Sequence, residues 1–247
     1  MAQKKSRYRI LIADSDPHLC EPLSRYFQRN GFSTKAVSDE EAMDSVMARF
    51  CFDLIVLDLM LSGEGGLSVC HRLRKAKNTT PIIMLAASGN DEDYIVGLEA
   101  GADDCMRKPF NPRELLARVQ AIIRRQPVIP PGTPDARHNV VTFGNTRIRL
   151  DTRTVFRNGN EILITTGEFS LLKILVKNPR QPLSRDKLTE LSRGREYEAS
   201  SRLIDVQLSR LRRLVEDNPS KPRYLQTVWG FGYVFVPDSG SFDSAEN

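Results

Sequence analysis

The chain has little with which to build a metal-held or cross-linked fold. Its four cysteines, Cys20, Cys51, Cys70 and Cys105, are spread over 247 residues. None stands in a CxxC spacing and no histidine cluster lies beside them. That argues against a zinc site and leaves reduced thiols as the expectation. Also missing is any apolar run near the roughly 20 residues of a membrane span. The opening MAQKKSRYR carries charge, but the apolar run behind it stops at Asp14, too soon for a secretory leader. The expected location is the cytoplasm, with no membrane partner.

What is present is 40% hydrophobic and 27% charged, the composition of one large globular domain or two ordinary ones. The net charge of +5 is uneven. Residues 1–125 hold 18 basic and 17 acidic side chains, and residues 126–247 hold 18 and 14. Such an excess points to nucleic acid only if the arginines share a face.

Residues 1–125 alternate β-rich runs (9–13, 32–37, 53–57, 81–86, 104–107) with amphipathic stretches at helix spacing (17–30, 40–50, 67–76, 91–100, 112–125). Five β-α units predict an α/β domain, a parallel doubly wound sheet with its ligand at the carboxyl ends of the strands. Residues 126–139 carry four prolines and no periodicity, a semi-stiff linker. From 140 to 238 the grammar changes to α+β. Alternating strands contain an Asn158–Gly159 hairpin turn, three helical patterns follow (166–178, 184–192, 200–217), and two β-runs close around WGFG. Thr166 and Ser184 are the expected helix caps and Trp229 a core anchor. The pattern is that of a winged helix. An acidic tail fills 239–247.

The first half sets Asp14, Asp16 and Asp58 at strand ends, with Lys108 after the fifth strand. One carboxylate, a divalent cation and a lysine make a phosphoryl acceptor, the cation and ammonium offsetting oxygen charge. The plainer alternative is that these acids cap helices or stay solvated. In the second half, 201–216 winds into an amphipathic helix. Leu203, Ile204, Leu208, Leu211, Leu214 and Val215 share one side. Arg202, Val206, Ser209 and Arg213 point the other way, with Arg210 and Arg212 on the flanks. That face suits a major groove, where arginine reads guanine or holds phosphate and valine meets a thymine methyl. A merely solvated basic face is the alternative.

DLIVLDLMLSGEGGLSVCHRLR, GLEAGADD, KPFNPRELLARV, IDVQLSRLRRLVEDNP and RYLQTVWGFGYVFVPD resemble response regulators of bacterial two-component systems, in the winged-helix OmpR/PhoB subfamily. The resemblance covers nearly the whole chain. It implies a DNA-binding transcription regulator, not an enzyme, whose Asp58 accepts a phosphoryl group from a sensor histidine kinase and whose Lys108 pairs with it. It implies a Mg²⁺ site of Asp14, Asp58 and the Met60 backbone. By the same resemblance Thr227 and Gly232 lie near promoter DNA, the loop 191–200 meets RNA polymerase, and Asp104, Arg118 and Glu114 belong to a homodimer face.

Departures from the pattern cluster at the switch. Ser15 stands where a second acid holds the metal, and Asp16-Pro17 reads as a helix start that commits Asp16 to the backbone. A neutral hydroxyl is a poor partner for a hard dication, so Mg²⁺ should bind weakly or not at all. Ala86 replaces the hydroxyl at the end of the fourth strand, Cys105 the aromatic of the fifth, and Ser62 a proline. These changes favour a weakened switch. A regulator that works without phosphorylation is the second reading. DSDPH also fits an aspartate-nucleophile phosphohydrolase, a third reading that leaves the second half unexplained.

Overall fold

The computed structural model describes residues 8–87, 91–125, 140–193 and 202–238. The chain divides into two compact units at Ile123–Arg124. The expected linker and the acidic tail lie outside the described residues.

The first unit is a five-stranded parallel sheet in the order β2-β1-β3-β4-β5. Its strands are β1 (Arg9–Ala13), β2 (Ser33–Val37), β3 (Leu54–Asp58), β4 (Ile82–Ala86) and β5 (Asp104–Arg107). Composition sets the order. RILIA, LIVLD and IIMLA are buried almost throughout and take the centre, whereas the polar STKAV takes an edge. The helices are α1 (Pro17–Arg29), α2 (Glu40–Met47), α3 (Gly66–Lys75), α4 (Asp91–Glu99) and α5 (Pro112–Arg125). Leu23 and Phe27 of α1 join Leu115, Val119 and Ile122 of α5 over Ile10, Ile12, Leu54, Val56, Ile83 and Leu85. As expected, Asp16 caps α1: its Oδ1 accepts the His18 N–H at 2.9 Å, with Pro17 at the first helical position.

The second unit begins with an antiparallel sheet, β6 (Val140–Phe143), β7 (Thr146–Arg149), β8 (Thr154–Arg157) and β9 (Asn160–Ile162). Asn158 and Gly159, both with positive φ, turn β8 into β9. Next come α6 (Thr166–Lys177), β10 (Leu183–Ser184), α7 (Arg185–Arg193), α8 (Arg202–Val215), β11 (Leu225–Val228) and β12 (Gly232–Phe235). The last two strands form a hairpin, with β10 on the outer side of β12.

Two expectations need correction here. The cap of α6 is Thr165, not Thr166. Its hydroxyl accepts the Glu168 N–H while Glu168 Oε2 accepts the Thr165 N–H at 2.8 Å, a closed capping box. Trp229 is not a core anchor; it is 92% exposed at the hairpin tip. Phe143, Tyr224 and Phe235 fill the core instead, with ring centroids 4.9 and 5.0 Å from Phe143. The reason is local: the tip turns at Trp229–Gly230, beyond the strands, where none of the described residues overlies it.

Candidate phospho-acceptor site and nucleic-acid interface

The carboxyl edge of the parallel sheet gathers three charged side chains. Asp58 ends β3, Asp14 follows β1 and Lys108 follows β5. Both carboxylates are buried. Lys108 Nζ stands 2.6 Å from Asp14 Oδ2 and 3.1 Å from Asp58 Oδ2. Its backbone is fixed by Lys108 N–H donating to the Ala86 carbonyl at 2.8 Å. Burial disfavours the ammonium, but the hydrogen bonds to Asp14 and Asp58 outweigh it, and the Lys108 pKa is raised. Asp14 Oδ1 also accepts the Asp16 N–H at 2.9 Å. Behind it, burial and the Asp14 charge push the Cys20 thiol up to about 11.

Ser15 is exposed, and Asp16 is exposed with its carboxylate on the helix cap. Among the described residues no three His, Cys, Asp or Glu side chains converge as a metal cluster. What remains for Mg²⁺ is two carboxylates already bridged by an ammonium, and the Met60 carbonyl; Met60 N–H donates to Asp58 Oδ1 at 3.3 Å. Carboxylate and carbonyl oxygens are the hard donors such a dication takes.

The loop after Asp58 is held from two sides. Gly66 sits so close on the Asp58 carbonyl that a β-carbon there would collide with it. Arg72 of α3 pairs with Glu40 at 3.1 Å, Asp44 at 3.1 Å and Glu64 at 2.6 Å, lashing the loop to α2. Sequence reasoning missed Arg72, whose partners lie far away in the chain. Ala86 and Cys105 are both buried. Cys105 packs under α4, where a β-carbon on Gly97 would stand 2.8 Å from its Sγ.

The expected dimer charges close on one another within the chain. Buried Arg118 lies 3.1 Å from Asp104 Oδ2 and 2.5 Å from Glu114 Oε1. They are a satisfied internal cluster in this protomer.

In the second unit α8 buries Leu203, Ile204, Leu208, Leu211 and Val215 as expected. Ser209 and Arg213 are exposed and Val206 half-buried; the Arg202 side chain lies outside the described residues. The flanking arginines also have partners within the unit. Arg210 Nε lies 2.9 Å from buried Glu168 of the capping box. Arg212 bends to the hairpin, donating from Nε at 2.8 Å and Nη2 at 2.7 Å to the Leu225 carbonyl, and from Nη2 to Thr227 Oγ1 at 2.8 Å. Thr227 is thereby engaged internally. Gly232 is buried against the Leu183 carbonyl, which leaves no room for a β-carbon.

Three further groups escaped the sequence reading. The Asp205 carboxylate accepts the Tyr233 hydroxyl at 2.6 Å and Arg185 Nε at 2.8 Å. Burial first, and then this carboxylate, push the Tyr233 phenol up to about 12. Buried Glu216 accepts three backbone N–H groups, from Arg223 at 2.9 Å, Tyr224 at 2.9 Å and Leu225 at 2.7 Å. The Thr-x-x-Glu pattern at Thr165–Glu168 was a readable signal; the partners of Asp205 are distant in sequence, and Glu216 closes a nearby loop that carries no fixed pattern.

Comparison with known proteins agrees with this layout. Residues 10–120 match the response regulator receiver domain, and residues 159–235 the C-terminal domain of transcriptional regulatory proteins. The DNA-binding response regulator MtrA of Mycolicibacterium smegmatis is 40% identical over 231 residues, 94% of this chain and 98% of that protein. Protein PetR of Rhodobacter capsulatus is 40% identical over 234 residues, 93% and 97% of the two chains. The structure of a mutant of RitR matches with a TM-score of 0.70 at 27% identity, covering 93% of this chain and 99% of that one. Receiver fold, DNA-binding fold and end-to-end kinship together place the chain in the family of DNA-binding response regulators of two-component systems, of the OmpR/PhoB type.

Proposed function

We propose that this regulator occupies double-stranded promoter DNA through the exposed stripe of α8, and that its receiver modulates occupancy only weakly. Arg202, Val206, Ser209 and Arg213 are the reading side chains, spaced to one face of the helix. Asp58 is the phospho-acceptor position and Lys108 its pairing cation. The observation that carries the weak-switch reading is the Lys108 bridge between Asp14 and Asp58 beside an exposed Ser15. The ammonium already compensates the acids, and the position that would add a third offers a hydroxyl.

The partners follow from the same reading: a second copy of the chain on the operator, RNA polymerase, and a sensor histidine kinase in the cytoplasm. A wholly phosphorylation-independent regulator is the second reading, favoured by buried Ala86 and Cys105 where a hydroxyl and an aromatic would move. Phosphohydrolase chemistry is not supported, because Asp16, the acid it needs, is committed to the cap of α1.

Titration with beryllofluoride and Mg²⁺ tests this. The expected half-saturation lies at least about tenfold above that of a Ser15→Asp chain, with DNA affinity changing less than about twofold on saturation. Equal affinity in the two chains, together with a large gain in DNA binding, overturns it.

A further inference from the structure

Beside the acidic edge of its sheet, the first unit carries a cavity of about 690 Å³. It opens between α1 and the junction of β5 with α5. Its size is that of a small-molecule site, and so is its make-up, apolar walls with a few polar groups. Leu19, Pro22, Tyr26, Phe110 and Pro112 form the walls. Leu19, Tyr26 and Phe110 pack against the core of the sheet, so these walls stand ready without a ligand. Asp16, His18 and Lys108 supply the polar groups, where α1 begins and β5 ends. A lysine ammonium carries three N–H donors. Asp14 and Asp58 take two from Lys108. Among the described residues the third has no acceptor, and the Lys108 side chain, 23% exposed, lines the cavity.

We propose that this cavity binds a small, uncharged ring compound bearing a carbonyl, whose oxygen accepts the third N–H of Lys108 while its rings lie against Tyr26 and Phe110. Charge selects the occupant. Asp14, Asp16 and Asp58 set three carboxylates against the one ammonium of Lys108. An anion entering here adds a fourth negative charge, and a cation meets the ammonium without accepting from it. A neutral acceptor satisfies the donor at neither cost. The apolar walls ask for a hydrophobic body behind that acceptor. The inference does not rest on the DNA reading of α8, which stands or falls on other measurements.

The test uses the full chain and three probes of one ring system, 2-acetylnaphthalene, 2-ethylnaphthalene and 2-naphthoate, which differ in the group offered to Lys108. Binding is followed by amide chemical shifts. The ketone is expected to saturate with a dissociation constant below about 1 mM, moving the resonances of His18, Leu19 and Phe110. It should bind about tenfold more tightly than either other probe, the worth of one hydrogen bond from a charged donor. Leu19→Trp, which narrows the cavity, weakens the ketone at least about tenfold. In Lys108→Met the ketone and the hydrocarbon bind within about twofold of each other. No saturation by the ketone, or shifts centred elsewhere, overturns the proposal and leaves the cavity to a macromolecular partner. Equal affinity for ketone and hydrocarbon in the unaltered chain overturns the role of Lys108. Tightest binding of the naphthoate overturns the choice of an uncharged ligand. Should a variant not fold, the three probes on the unaltered chain decide.

Discussion

Lys108 Nζ lies 2.6 Å from Asp14 and 3.1 Å from Asp58, so one ammonium serves two buried carboxylates. Removing it leaves the acids facing each other without a counter-charge. Lys108→Met is expected to lower stability by roughly 3 kcal/mol, read as a shift in the urea midpoint. Adding Asp14→Asn to it should recover part of the loss, because one of the unpaired charges goes too. The sign with pH follows. The folded pKa of Lys108 is raised, so its contribution is complete below the ordinary value of 10.5 and is lost as pH rises through the raised one.

Position 15 is the test of the cation site. Ser15→Asp restores an acid beside Asp14 and is expected to tighten Mg²⁺ binding at least about tenfold, or about 1.4 kcal/mol. Calorimetric titration of both chains checks this. An unchanged dissociation constant would show that the side chain at position 15 does not reach the site.

Tyr233 should ionise well above the ordinary tyrosine range. Its phenol is buried against Asp205 and held at about 12, against an ordinary 10. The stability it lends is intact below pH 10 and disappears as pH climbs from 10 through 12. The phenolate absorbance lost in Tyr233→Phe gives its titration directly. A midpoint near the ordinary value would show that Asp205 does not hold the hydroxyl.

Glu216 anchors the end of α8. Glu216→Ala leaves the Arg223, Tyr224 and Leu225 N–H groups without their acceptor. An expected loss of about 2–4 kcal/mol follows from stranding several buried donors, measured by thermal or urea denaturation. Glu216→Gln, which keeps one carbonyl acceptor, should cost less.

The strands, the helices and their two grammars were legible because periodicity is local. β1 and β5 fall on the expected residues, and the apolar stripe of α8 is the buried one. Asp14, Asp58 and Lys108 were legible because parallel topology delivers every strand end to one edge. The fate of Arg210 and Arg212 was not. A helical wheel assigns them an angle, but their partners, Glu168 and Leu225, are brought in by other elements. Trp229 failed for a related reason: size argued for the interior, and only the place of the turn decides that the ring is outside. Gly232 was singled out only by resemblance, as a residue near DNA, whereas its lack of a side chain matters because the Leu183 carbonyl lies against it.

The Glu216 clasp has a consequence for how operators are ranked. With the end of α8 pinned to the start of β11, and both hairpin strands tied back to the helix, the protein offers a caliper of nearly constant opening. A stiff gauge leaves the adjusting to the nucleic acid. Base steps that bend or narrow cheaply will then fill it better than rigid ones, even at positions no side chain touches.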